Sequence, residues 1–161
     1  MEQLSPKINE ILRSVHDPEI PVLSIMDMGI VRKVEQKENT FFIQITPTYS
    51  GCPAMDTIGD DLIAAFKKEG FDTKIELVLA PAWTTDWITE RGRVALEKYG
   101  IAAPRESSVD KAALTGEANQ IKCTNCGSLE TKMVSRFGST ACKALFQCND
   151  CHEPFDYFKC F

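Results

Sequence analysis

The chain has 161 residues, 43% hydrophobic and 25% charged, a globular composition that excludes wholesale disorder. Its net charge of −5 argues against non-specific nucleic-acid binding, which needs a basic surface. No apolar run approaches the roughly 18 residues of a membrane helix, and the MEQLSPKINEILRSV start, which carries acids and amphipathic spacing, is unlike a secretory leader, so no membrane span and a cytoplasmic location are expected.

Leu4, Ile8, Ile11, Leu12 and Val15 recur at helical spacing, with Ser5 as N-cap and Pro6 at the first helical position. His16-Asp17-Pro18-Glu19 ends this helix, because Pro18 disfavours helical geometry at Asp17. Asp17 and Glu19 are spaced to bind a cation or act as acid and base, although such a pair is more often a solvated turn. Asp27-Met28-Gly29 reads as a turn into a strand. IVRKVEQ and TFFIQITP are strand-like and joined at Lys37-Glu38-Asn39 as a hairpin. A helix follows from Pro53, with Ile58, Leu62, Ala65 and Phe66 on one face and Gly70 as its stop. KIELVL alternates as a third strand, and a last helix runs from near Thr85 to Gly100, with Trp83 and Trp87 placed to cap and pack it. The order α-β-β-α-β-α predicts an α+β fold over residues 1–103, a small mixed three-stranded sheet with helices.

Within it, Thr48-Tyr49-Ser50-Gly51-Cys52-Pro53 carries the most chemistry. Gly51 permits a tight turn out of the strand, Pro53 suits helix position N1, and Cys52 then sits at or beside the N-cap. Free N–H groups and the helix dipole there would lower the thiol pKa and favour thiolate. A lone Cys also serves as a small buried filler.

Composition shifts after residue 103. Residues 1–103 hold 11 Lys+Arg against 16 Asp+Glu, whereas residues 104–161 hold seven of each. PRESSVDKAALTGEANQ, residues 104–120, has no aromatic residue and reads as a linker. Six of the seven cysteines follow it, and in a reducing compartment such clustering reads as metal ligands before disulfides. Cys123-x2-Cys126 and Cys148-x2-Cys151 are two knuckles 21 residues apart, which TKMVSRF and ALFQ would bring together as a hairpin. Two such turns close a tetrahedron of thiolates, so residues 121–161 are predicted to be a zinc-ribbon-like β module. Structural zinc is the choice, because about 40 residues need a staple; an iron–sulfur cluster is the alternative. Cys142 and Cys160 are left as candidate extra ligands or as hairpin packing, and His152 could replace a ligand.

DPEIPVLSIMDMGIV, TPTYSGCP and APAWTTDWITERGRVAL, in this order, resemble the small domain shared by SufT and the eukaryotic cytosolic iron–sulfur targeting factor. Met28 stands where that family usually has Leu. The resemblance implies a non-catalytic accessory to iron–sulfur cluster assembly, with Cys52 as the functional thiol. Over nearly the whole chain, TPTYSGCP, DWITERGR and FGSTACKALFQCNDCHEPFDYFKC resemble the PaaD family of phenylacetyl-CoA ring-epoxidase operons. This implies a maturation factor for the multicomponent oxygenase, whose diiron and iron–sulfur centres lie in partner subunits. Cys52, with Asp17 and Glu19 in support, would handle metal or cluster, and the ribbon would dock epoxidase subunits through Phe155, Tyr157, Phe158 and Phe161, unless these form its own core. Rival readings are an iron–sulfur electron carrier of the oxygenase, a thiol oxidoreductase and a zinc-stabilised interaction module. No G-x-G-x-x-G nucleotide fingerprint occurs.

Overall fold

The computed structural model describes residues 4–104 and 121–159; the linker beyond Pro104, Cys160 and Phe161 lie outside the described residues. The chain divides into two compact units, Met1–Trp83 and Thr84–Phe161.

In the first unit, α1 (Pro6–Ser14) begins as expected, with the Ser5 hydroxyl accepting from the Ile8 N–H and Pro6 in the first turn. It buries Ile8, Ile11 and Leu12. The expected turn at Asp27-Met28-Gly29 is a single helical turn, α2 (Ile25–Met28), capped by Ser24 and ended by Gly29 at φ 74°. Strands β1 (Val31–Lys37) and β2 (Thr40–Ile45) form the antiparallel hairpin, and β3 (Asp72–Leu77) pairs parallel with β2, giving a mixed sheet ordered β1-β2-β3. Between β2 and β3 runs α3 (Ala54–Lys68), burying Ile58, Leu62 and Phe66. The Phe66 ring lies 5.0 Å from Phe41 of β2, which locks helix to sheet. Each such fully buried side chain contributes about 1.5–3 kcal/mol of hydrophobic transfer. Trp83 is buried, and its indole Nε1–H donates to the Met28 carbonyl at 3.0 Å, pinning the α2 turn.

The second unit opens with a 3₁₀ turn, Thr85–Trp87, and the expected long helix is broken at Ile88, so that α4 spans Glu90–Tyr99 with a new N-cap at Thr89. Gly100 ends it at φ 92°. Strand β4 (Ile101–Ala102) then pairs parallel with β7 (Pro154–Phe158). The four-stranded sheet is ordered β4-β7-β6-β5, with β5 (Thr131–Ser135) and β6 (Lys143–Cys148) antiparallel. Composition places the domain boundary at residue 103, but the two compact units part after Trp83 because this backbone pairing ties the α4–β4 segment to the ribbon. Within the segment itself, the Arg93 guanidinium of α4 donates to the carbonyls of Thr85 and Pro104 on either side of it.

Of the two readings open for the ribbon aromatics, docking anchors or the module's own core, the structure bears out the core: Phe155, Tyr157 and Phe158 are all buried. The ring of Phe146 lies 6.0 Å from Phe155 and 5.6 Å from Tyr157. Phe161 lies outside the described residues. The large apolar side chains that the ribbon exposes are Leu129, Val134 and Phe137.

Candidate functional site

The two knuckles are conformational twins. In the first, the Cys123 N–H donates to the Ser128 carbonyl at 2.8 Å; in the second, the Cys148 N–H donates to the Glu153 carbonyl at 3.0 Å. After the second cysteine of each, the chain turns left-handed, at Gly127 (φ 77°) and at His152 (φ 63°). Gly127 adopts this at no steric cost, whereas His152 is strained. His152 is thereby a turn residue, and it is not among the side chains that converge on the site.

The β6 pleat puts Ala144, Phe146 and Cys148 on the core face, all at 0% exposure, while Cys123 is 2% exposed. Cys151 is half-buried and Cys126 exposed. All four Sγ atoms lie within 4.8 Å of one another. Across the knuckles, Cys123 is 3.7 Å from Cys151 and Cys126 is 3.6 Å from Cys148. A tetrahedral ion with metal–sulfur bonds near 2.3 Å sets sulfurs about 3.8 Å apart, so the donors fit one ion. A cluster that spreads its thiolates over separate irons needs wider spacing. The surrounding N–H groups face the sulfurs as an outer shell should: Cys151 N–H toward Cys148 Sγ at 3.5 Å, and the Asn125 amide toward Cys151 Sγ at 3.6 Å. The Glu153 N–H, with the Asn125 amide and the neighbouring thiols, draws Cys151 down to about 6. The Ser128 N–H favours a Cys126 thiolate, but hydrogen bonding with Cys151, desolvation, and bonds with Cys148 and Cys123 push that thiol up to about 12. The hydrogen bonds around the site thus make Cys151 a readier thiolate than Cys126.

Cys142 is buried outside this group, its Sγ 3.1 Å from the Thr140 hydroxyl; Cys160 lies outside the described residues.

The second candidate site lies in the first unit. Past β2 the chain turns through Ser50 and Gly51, with the Cys52 N–H donating to the Tyr49 carbonyl at 3.1 Å. Pro53 is the N-cap of α3, one position earlier than expected, so Cys52 precedes the cap. The thiol is half-buried, and its pKa is raised, the reverse of the expectation from a helix start. Burial is the largest cause, and the carboxylates of Asp17 and Glu19 add to it. Hydrogen bonds from the Ala54 N–H and the Thr48 hydroxyl favour thiolate but do not outweigh them.

Asp17 is not a solvated turn residue. At 7% exposure its Oδ1 accepts from the N–H groups of Glu19 (2.8 Å) and Ile20 (2.9 Å), and its own N–H donates to the Leu23 carbonyl at 3.0 Å. The fold thus brings Asp17 and Glu19 close enough to act electrostatically on Cys52, and they form no preassembled ligand set with it among the described residues. The four-cysteine group is the one cluster of three or more His, Cys, Asp or Glu side chains placed to hold an ion among the described residues. Thr48 escaped sequence reasoning; its place four residues before Cys52 in a strand-exit loop was the available signal.

These geometries agree with what the chain is similar to. Residues 6–77 match the family described as "Iron-sulfur cluster assembly protein", and residues 107–159 match "PaaD zinc beta ribbon domain". A protein of Escherichia coli (strain K12), named as one of the subunits of 1,2-phenylacetyl-CoA epoxidase, is 47% identical over 96% of this chain and 94% of its own length. The chain belongs to the PaaD family. Two segments of this PaaD-family chain have separate kinships. Its N-terminal part is 34% identical to the Fe-S protein maturation auxiliary factor YitW of Bacillus subtilis (strain 168), covering 59% of this chain and 95% of that one. A crystal structure of a domain of unknown function (DUF59) from Bacillus anthracis superposes with a TM-score of 0.52 at 26% identity, covering 56% of this chain and 88% of that one. Among the described residues, no helix is long and apolar enough to cross a membrane.

Proposed function

We propose that this PaaD-family chain is a non-catalytic accessory factor that helps assemble the iron–sulfur or diiron cofactors of a phenylacetyl-CoA epoxidase, in company with that enzyme's subunits. The single observation that carries the reading is the Cys52 thiol, half-buried in the field of Asp17 and Glu19 and holding its proton. Negative charge that disfavours a thiolate favours a bound cation, so iron arriving as cargo displaces the proton and gains both the sulfur and the carboxylate field. With no preassembled ligand set around Cys52 among the described residues, such binding is transient, which suits transfer. The N-terminal part is similar to maturation factors of three other bacteria, which supports the reading.

In the ribbon, Cys123, Cys126, Cys148 and Cys151 would hold zinc, which when bound supplies a structural cross-link between the knuckles. The core of this small sheet depends on that link, because Cys123 and Cys148 are part of its packed cluster with Phe146 and Tyr157. The spacing that favours one ion also weighs against an electron-carrying cluster in the ribbon.

The test is to purify the epoxidase without oxygen from a strain lacking this protein and measure iron and acid-labile sulfide per enzyme. Depleted cofactor, restored by the wild-type gene and not by Cys52→Ser, is the expected result. Full cofactor occupancy in the deletion strain would sink the proposal.

A further inference from the structure

The four ribbon sulfurs are not equally accessible. Cys123 and Cys148 are sealed in the core at 2% and 0% exposure, Cys151 is half-buried under the Asn125 amide, and Cys126 faces solvent. Across the site the Cys126 sulfur lies 3.6 Å from that of Cys148, and the Cys123 sulfur lies 3.7 Å from that of Cys151. An oxidant in water therefore meets one sulfur of the site first, with a resolving sulfur already in contact behind it. We propose that Cys126 is an oxidation site at which a hydroperoxide triggers metal release by closing a Cys126–Cys148 disulfide. The inference rests on the reading that the four cysteines hold zinc.

The chemistry balances in two displacements. The Cys126 thiolate attacks one peroxide oxygen; a sulfur–oxygen bond forms, the oxygen–oxygen bond breaks, and the hydroxide released takes a proton from solvent. The Cys148 thiolate then attacks the Cys126 sulfur; the disulfide forms, the sulfur–oxygen bond breaks, and a second hydroxide leaves and is protonated. Two thiolates lose two electrons and hydrogen peroxide becomes two waters. The ion keeps only Cys123 and Cys151 and is released, since two thiolates do not make a closed zinc site. The pairing also has a structural consequence. Cys126 precedes β5 and Cys148 ends β6, opposite Thr131, so the disulfide closes the base of the same hairpin that the metal closed. The ribbon would thus shed its ion and keep its hairpin.

The experiment uses the full chain, purified without oxygen and assayed for zinc before any oxidant is added. Hydrogen peroxide is then added in substoichiometric steps while released zinc is followed with a chromogenic chelator and disulfides are mapped by non-reducing peptide mass spectrometry. One zinc released per Cys126–Cys148 bridge is expected. Cys126→His, which keeps a fourth ligand, should slow release by at least about tenfold, while Cys151→His should not. A first disulfide within a knuckle, Cys123–Cys126 or Cys148–Cys151, overturns the proposal. So does zinc release from Cys126→His at the wild-type rate, or zinc retained after other cysteines have oxidised. A chain without zinc at the outset overturns the metal reading as well, which separates the two failures.

Discussion

Four sulfurs in the ribbon lie within 4.8 Å of one another on two matched turns, whereas Cys52 belongs to no such group and has carboxylates for electrostatic company. In the ribbon, local backbone geometry does the aiming: paired i to i+3 cysteines, each followed by a left-handed residue, point at one centre. At Cys52, the local geometry of a helix start is overruled by burial and by Asp17 and Glu19, which are 35 and 33 residues distant in the chain. On the function proposed above, the first keeps an ion and the second holds a proton until a cation displaces it. A thiol's sequence neighbours are thus a sound guide to its ligand geometry and a poor one to its ionisation.

The largest effect that could break this contrast is loss of a ribbon ligand. Cys148→Ser should abolish bound zinc and unfold the ribbon, because structural zinc sites contribute on the order of 10 kcal/mol to small modules. Cys52→Ser should leave zinc at one per chain and the melting curve unchanged. Metal analysis and circular dichroism check both, and zinc lost from Cys52→Ser would erase the distinction. Phe146→Ala comes next. It removes a side chain of 0% exposure from the cluster holding Cys123 and Cys148, and should cost about 3–5 kcal/mol in urea denaturation, with easier zinc loss to chelators. The knuckle turns give a smaller, signed pair. Gly127→Ala should destabilise by about 1–2 kcal/mol, since φ 77° is hostile to a side chain. His152→Gly should stabilise by up to about 1 kcal/mol by relieving the same strain. A histidine that served as a ligand would lose metal instead, which zinc analysis detects.

The last prediction leaves stability nearly untouched. The folded chain holds the Cys52 proton more tightly than an exposed thiol would, so thiolate, the reactive form, accumulates only as pH rises beyond the ordinary thiol range. Alkylation of Cys52 by iodoacetamide should therefore reach half its maximal rate at a higher pH than that of a free cysteine. Glu19→Gln should move that midpoint down by removing a like charge, and Thr48→Val should move it up by removing a donor. A midpoint below that of free cysteine would restore the helix-start expectation.

Much of the architecture was legible along the chain because its signals are local. Ser5 with Pro6 marks the start of α1, Gly100 the end of α4, and the two C-x2-C pairs the metal centre, each through contacts within a few residues. The strands of the first sheet were legible for the same reason: alternation along β2 needs no knowledge of its partner. Three features were decided only by the tertiary structure. Strand β4 joins the ribbon sheet through a parallel pairing with β7, more than 50 residues later, and that moves the unit boundary to Trp83. Phe155 and Tyr157 became core and not docking anchors, because folding packs them with Ile121, Cys123, Phe146 and Cys148. The Cys52 thiol is pushed up by burial and by the charges of Asp17 and Glu19, where a helix start alone would draw it down. Pairing partners, burial and the field of distant charges are properties of chain segments brought together by folding, and residue spacing carries no record of them until they meet.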